Sequence, residues 1–212
     1  MMALGFNACI LDYSVAPMDF PASFMDLCEG VYYVRKHADQ LNSDPKKIII
    51  CGFSAGGHLA ASLAVWWNSG MVEQNLPYER EDVKPDALLL GYPVISSGQF
   101  AHRGSIANLL GSKFGISQLM DTVSLEKNVT SSTPPTFIWH TADDDCVPVQ
   151  NTLLFTAALA KHGVPFESHI FRSGCHGLSL ANRESAGTPV QIEGDVAVWP
   201  DFFQKFINGL FG

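Results

Sequence analysis

The feature that most constrains the fold is an apolar run that passes through a glycine-bounded turn into a run of small residues. Residues 48–51 form a β-branched stretch without polar alternation, which predicts a strand buried on both faces. Residues 56–67 are small and apolar and predict a helix. Between them, Gly52-Phe53-Ser54-Ala55-Gly56 has the pattern G-x-S-x-G. In such a turn the serine takes a strained backbone conformation, and we expect no room for a Cβ at either flanking glycine.

Apolar strand-like runs alternate with helical patterns along most of the chain, which predicts parallel βαβ units and an α/β fold. The other predicted strands are 6–11, 87–90, 137–139 and 166–171, and the other predicted helices are 24–41 (with Ser23 as N-cap), 151–161 and 196–211. The stretch 96–133 does not follow this alternation of strand and helix patterns, because it is rich in Ser, Gly and Asn. We interpret it as a cap-like insertion within a single domain of 212 residues.

Composition excludes several classes of protein. The formal charge of −8 offers no basic face for nucleic acid or for anionic membranes, so neither is an expected partner. The five cysteines include no C-x-x-C pair, which argues against a zinc site or a disulfide framework. No metal motif and no dinucleotide fingerprint occurs, so we expect no cofactor. The start has no basic segment with a cleavage site, which favours a cytoplasmic location.

A serine on such a turn needs a base and an orienting carboxylate, in the chain order serine, acid, histidine. The predicted strand 137–139 leads into three adjacent carboxylates, Asp143, Asp144 and Asp145, and position alone leaves the choice among them open. His176 follows the next predicted strand in the glycine-containing segment Ser-Gly-Cys-His-Gly, and it is the predicted base. The N–H of Ala55, at the start of the helix after Ser54, is the predicted oxyanion donor.

The other six histidines are better explained by structural or surface positions than by catalysis. His58 lies one helical turn after Ser54, where it supports the turn, and His140 precedes the acid, which is the wrong order. An ordinary glycine-rich turn that happens to contain serine, or an ordinary loop histidine at position 176, remains the alternative. The rest are assigned to surface, insertion, helix-end or strand positions: His37, His102, His162 and His169.

The chain resembles the esterase/lipase branch of the α/β-hydrolase superfamily, close to acetyl-xylan esterases and feruloyl-esterase-like enzymes. The resemblance covers nearly the whole chain and includes DPKKIIICGFSAGGHLAASLA, HRGSIANLLG, TPPTFIWHTADDDCVPVQNTLLF and SGCHGLSL. It implies Ser54 as nucleophile and His176 as base. It also implies Asp144 as the acid, because the acid of this family occupies the first position of D-x-x-V-P. The implied activity is hydrolysis of a small-molecule ester with a small acyl group, often an acetyl group on a sugar.

One departure from the family is evident. Relatives carry an H-G-G-G-type or P-G-G-G-type loop upstream, which supplies an oxyanion donor, and they carry the first strands of the sheet. Neither is found before Ser54 in this sequence. We therefore expect a weakened oxyanion hole, an exposed edge along strand 6–11, and a possible homodimer formed through that edge. Two other functions stay open: a serine peptidase of the oligopeptidase type, and a shortened hydrolase body with little activity.

Overall fold

The computed structural model describes all residues from 1 to 212 and contains one parallel sheet of four strands. The strands are β1 (Ile49–Phe53), β2 (Ala87–Gly91), β3 (Thr136–Thr141) and β4 (Phe166–Phe171), in the spatial order β1-β2-β3-β4. Because every pair is parallel, the four carboxyl ends meet at one edge of the sheet. The loops that leave this edge carry Ser54, Tyr92, Asp144 and His176.

Eight α-helices connect or follow the strands. They are α1 (Ala22–Lys36), α2 (Ser54–Trp66), α3 (Met71–Asn75), α4 (Arg80–Val83), α5 (Arg103–Leu110), α6 (Ser117–Thr122), α7 (Gln150–Lys161) and α8 (Trp199–Phe211). The strand and helix predictions after residue 20 each correspond to an observed element; strand 166–171 has the predicted bounds, and the other elements have shifted ends. None of the helices has both the length and the apolar character required to cross a bilayer.

Two apolar layers cover the sheet. The larger contains residues of α1, α2 and α7 together with Ile50, Leu88, Leu90 and Ile138 of the strands. The smaller packs α8 through Trp199, Phe203 and Ile207 against the opposite face, where Trp139 stacks on Trp199 with ring centroids 5.5 Å apart. Helices on both faces of a parallel sheet are the arrangement that the alternating pattern predicts.

The segment 96–133 contains α5, α6 and two short 3₁₀ turns, Gly111–Lys113 and Leu125–Lys127. Its apolar side chains, including Ile106, Leu110 and Val123, join the larger layer. The segment is therefore anchored in the main core, and its service as a cap over the site stays a prediction.

The predicted strand 6–11 is wrong. These residues form no ladder with β1, and Ile10 is 98% exposed. The segment is held by side chains instead: the Asn7 amide donates to the carbonyls of Leu41 and Asn42, and the Phe6 ring lies 5.6 Å from the ring of Phe203. An apolar run becomes a strand only where a neighbouring strand supplies hydrogen-bond partners, and none lies alongside this one.

Two other expectations also need correction. The strand that precedes Ser54 is not buried on both faces, since Cys51 of β1 is exposed. The smaller layer covers this face of β1 only in part, through Phe53, whose ring lies 5.9 Å from the ring of Trp199. The first helix begins at Ala22 with Pro21 as its N-cap, so Ser23 is not the N-cap. It ends at Lys36 rather than at residue 41, because the chain beyond it forms turns up to Asn42, whose φ is +50°.

Candidate active site

Ser54 lies on the turn between β1 and α2 and has φ of +54°, a left-handed conformation that non-glycine residues rarely adopt. Phe53 is extended, so the backbone changes direction sharply within one residue. At Gly52 a Cβ would lie 2.1 Å from the carbonyl oxygen of Gly56, so only glycine fits. At Gly56 the expected crowding is wrong, because the nearest atom to an added Cβ is the Tyr13 hydroxyl at 3.9 Å.

His176 lies in the loop after β4 and contacts both other predicted site residues. Its Nε2 is 2.7 Å from Ser54 Oγ, and its Nδ1 is 2.7 Å from Asp144 Oδ2. Because the carboxylate only accepts, Nδ1 carries the proton, and Nε2 is left to accept the Ser54 hydroxyl proton. The structure thus brings together the three residues that the sequence singled out, and it does so in the orientation that proton transfer from the serine requires.

The Asp144 carboxylate is fully enclosed and accepts three hydrogen bonds, with the His140 ring as a fourth close neighbour. Oδ1 accepts from the backbone N–H groups of Cys146 and Val147, each at 2.9 Å. Oδ2 accepts from His176 Nδ1 at 2.7 Å and lies 3.2 Å from His140 Nε2. Burial opposes ionisation of this group, but the donors that face it, which are His140, His176 and the two backbone N–H groups, outweigh burial and hold the pKa of Asp144 well below its usual range.

The neighbouring carboxylates do not contact His176. Asp143 accepts from Ser173 Oγ at 2.7 Å and from the Gly174 N–H at 2.8 Å, which ties the acid loop to the histidine loop. These bonds, the Ser173 hydroxyl first, lower the pKa of Asp143. Asp145 is exposed and makes no side-chain hydrogen bond. Geometry therefore places Asp144, and neither neighbour, beside the candidate base.

Two residues at this edge were missed by sequence reasoning. Tyr92 follows β2 with φ of +36°; its ring lies 4.9 Å from the His176 ring at an angle of 71°, and its hydroxyl accepts from the Ser179 N–H. His140 was set aside because of its order in the chain, yet it contacts Asp144. The signal for both was their position at the carboxyl end of a strand next to the predicted site.

His58 is buried inside the fold, and its Nε2 lies 2.9 Å from the carbonyl oxygen of Val123, to which it donates. Burial lowers the pKa of His58, which keeps the ring neutral at ordinary pH. The bond ties α2 to the segment before β3, and no side-chain hydrogen bond links His58 to Ser54. His58 therefore connects α2 to Val123, a structural role that the sequence did not predict.

The N–H of Ala55 belongs to the first turn of α2, where helical N–H groups have no acceptor within the helix. Beside Ala55 lies a cavity of about 380 Å³ lined mainly by apolar side chains. Its walls come from the segment 13–24, from α2 and from α5, and include Tyr13, Leu59, Ser62, Trp66 and Ile106. No residue of the Asp144 or His176 loops lines it.

A parallel sheet with helices on both faces, and a serine on a strained strand-to-helix turn at its carboxyl edge, define the α/β-hydrolase fold. Comparison with solved structures agrees. The acetyl ester-xyloside bifunctional hydrolase from Caldicellulosiruptor lactoaceticus is 42% identical to this chain, with a TM-score of 0.81 over 95% of this chain and 71% of that one. The predicted fold class is confirmed.

Among curated proteins, endo-1,4-beta-xylanase B from Butyrivibrio fibrisolvens is 40% identical over 184 residues, 85% of this chain and 29% of that protein. Acetylxylan esterase from Xylanibacter ruminicola is 33% identical over 180 residues, 83% of this chain and 35% of that protein. The chain thus spans about a third of the length of these relatives. The family model described as BD-FAE matches residues 1–159. The chain belongs to the BD-FAE family, in the esterase branch of the α/β-hydrolase superfamily, as the resemblance predicted.

Proposed function

We propose that this chain is a serine carboxylesterase that hydrolyses small acyl esters through an acyl-enzyme intermediate. The observation that carries the proposal is the unbroken line of short hydrogen bonds from Ser54 Oγ through His176 to Asp144, with 2.7 Å at each step. A serine hydroxyl is a weak nucleophile unless a base takes its proton as it attacks. The line supplies that base and a carboxylate that orients it.

In the first half-reaction Ser54 Oγ attacks the ester carbonyl carbon while its proton passes to His176 Nε2. The oxygen of the tetrahedral intermediate is negatively charged and lies at the start of α2, where the Ala55 N–H and the helix dipole favour negative charge. His176 then gives the proton to the departing alkoxide oxygen, and the alcohol leaves. Water attacks the acyl-Ser54 ester by the same route in reverse, with His176 as the base, and releases the acid.

This chemistry also indicates which part of the substrate the cavity beside Ala55 would hold. Because His176 protonates the leaving alcohol, the alcohol must lie beside the His176 loop. The cavity touches Ala55 but no residue of that loop, so it suits the acyl group, which needs no proton donor. Its volume of about 380 Å³ is within the usual range for small-molecule sites, and it leaves ample space for an acetyl group.

We propose acetyl esters of carbohydrates as the substrate class. Support comes from two of the similar proteins, whose names describe an acetylxylan esterase and an acetyl ester-xyloside hydrolase. Acetylated xylo-oligosaccharides and p-nitrophenyl acetate are therefore the substrates to test, with release of acetate and of p-nitrophenol as the measurements.

Replacement of the nucleophile tests the proposal. Ser54→Ala is expected to lower kcat on p-nitrophenyl acetate by about 10⁶-fold, because attack and acyl-enzyme formation both require the hydroxyl. A fluorophosphonate probe is expected to label Ser54 in the unmodified chain. Ser117→Ala, at an exposed serine of α6, is the matched control and should leave activity unchanged. Full activity in Ser54→Ala, or labelling of a different serine, would overturn the assignment.

A further inference from the structure

His140 is the last residue but one of β3, and its side chain has no exposed surface. Its two ring nitrogens make three close contacts. Nδ1 lies 2.8 Å from Thr152 Oγ1 of α7. Nε2 lies 2.9 Å from the carbonyl oxygen of Val147 and 3.2 Å from Asp144 Oδ2. A buried histidine therefore contacts the same carboxylate oxygen that faces His176.

The partners fix the position of the proton on this ring. Both neighbours of Nε2, a carbonyl oxygen and a carboxylate oxygen, can only accept, so Nε2 must carry the hydrogen. Nδ1 then accepts from the Thr152 hydroxyl, which makes no other side-chain hydrogen bond. With this tautomer every polar atom of the pair has a partner. Thr152 thus holds His140 with its Nε2–H on the Val147 carbonyl and beside Asp144 Oδ2.

We propose that His140 is a positioning residue for the esterase reaction: through its Nε2–H it holds Asp144 Oδ2 in line with His176 Nδ1. The proposal rests on the proposed function of Ser54, Asp144 and His176. The two backbone donors at Oδ1 come from the acid loop itself, whereas His140 lies on the central sheet. His140 is thus the donor that ties the carboxylate to the rigid part of the fold rather than to the loop.

A purely structural role would have a different signature. If His140 only satisfied the Val147 carbonyl, its loss would lower stability, and the folded fraction would keep its kcat. Loss of a positioning contact lowers kcat while KM stays unchanged, because the substrate does not touch His140 or Asp144. A misplacement of reacting groups by about 1 Å can cost on the order of 10²-fold in rate. The two roles are therefore separated by the kinetics of folded protein.

Two pairs of variants test the proposal on the full chain, with p-nitrophenyl acetate as substrate. His140→Leu removes the donor, and His140→Gln keeps an N–H at similar reach. Thr152→Val removes the hydroxyl that fixes the ring with almost no change of shape, and Thr152→Ser keeps it. We expect the Leu variant to lose about 10- to 100-fold in kcat with KM unchanged, the Val variant to lose several-fold, and Gln and Ser to restore most of the loss.

Thr156→Val is the matched control, since Thr156 is buried on the same helix and its hydroxyl donates to backbone carbonyls of α7, away from His140. It should keep the kcat of the unmodified chain. A kcat within twofold of normal in folded His140→Leu and Thr152→Val overturns the proposal, as does a change in KM alone. If His140→Leu does not fold, the kcat values of Thr152→Val and Thr152→Ser test the proposal instead. Failure of the proposed function is separate, because it would appear as activity in Ser54→Ala.

Discussion

Asp144 combines a fully buried carboxylate with four facing donors and a lowered pKa, so a change of one atom in this side chain is expected to have a large and specific effect. Asp144→Asn is nearly isosteric but presents an amide to His176 Nδ1, which favours the wrong tautomer of the ring. We expect a loss of about 10⁴-fold in kcat with little change in KM. Steady-state kinetics on p-nitrophenyl acetate provide the measurement.

The neighbouring carboxylates serve as internal controls. Asp145→Asn should leave kcat unchanged, because that side chain makes no hydrogen bond. Asp143→Asn should have a moderate effect, because it weakens the link to Ser173 and Gly174 and thereby loosens the loop that carries His176. If either of these variants lost as much activity as Asp144→Asn, the choice of Asp144 within the triplet would be wrong.

The lowered pKa of Asp144 also predicts how stability depends on pH. A carboxyl group whose pKa is lower in the folded than in the unfolded chain binds fewer protons when folded. Its stabilising contribution is complete above the unfolded value near 4 and is lost as the pH falls below it. Between about pH 5 and pH 3, the Tm of the unmodified chain should therefore fall more steeply than the Tm of Asp144→Asn. Parallel slopes for the two proteins would contradict this expectation.

At the scale of elements, the turn between β1 and α2 depends on one glycine more than on the other. A Cβ at position 52 would overlap the Gly56 carbonyl, so Gly52→Ala should lower the free energy of unfolding by several kcal/mol or prevent folding. Gly56 has space for a methyl group and lies inside α2, so Gly56→Ala should be neutral or stabilising, by up to about 1 kcal/mol. Denaturant unfolding of both variants gives the comparison, and similar destabilisation by the two would refute it.

Element positions could be predicted from the sequence wherever local pattern and packing agree. The runs that became β2, β3 and β4 are apolar and flanked by helices, and each was located to within a few residues. Strand 6–11 was wrong because pairing depends on a neighbour that no local pattern reveals. The same limit hid Tyr92 and His140, whose contacts with His176 and Asp144 join residues brought together only by the folded sheet. Ser54, in contrast, could be predicted because the strand, the glycines and the helix that form its turn are adjacent to it in the sequence.

At the scale of the whole molecule, the cavity beside Ala55 is assembled from the segment 13–24, α2 and α5, which are distant in sequence. Ser62 is a buried wall residue of this cavity, and its hydroxyl donates to the Leu59 carbonyl of its own helix. If the cavity takes the acyl group, Ser62→Leu should fill part of it. Hydrolysis of p-nitrophenyl hexanoate should then fall about tenfold relative to p-nitrophenyl acetate.

Ser62→Ala is the control, since it removes the hydroxyl without adding volume, and it should keep the original ratio of the two rates. Thermal unfolding of the Leu variant checks that the fold is intact. An unchanged acetate-to-hexanoate ratio in folded Ser62→Leu would exclude the cavity as the acyl site, while leaving the roles of Ser54 and His176 untouched.

The enclosure of Asp144 has a consequence for the energy of the proposed reaction. When His176 takes the serine proton, a new positive charge appears beside the carboxylate, and in water the surrounding dipoles would have to reorient around that charge. Here the four donors that face Asp144 are already in place before the reaction begins. The ion pair therefore forms in a polar environment that is oriented in advance, so little reorganisation energy is added to the barrier.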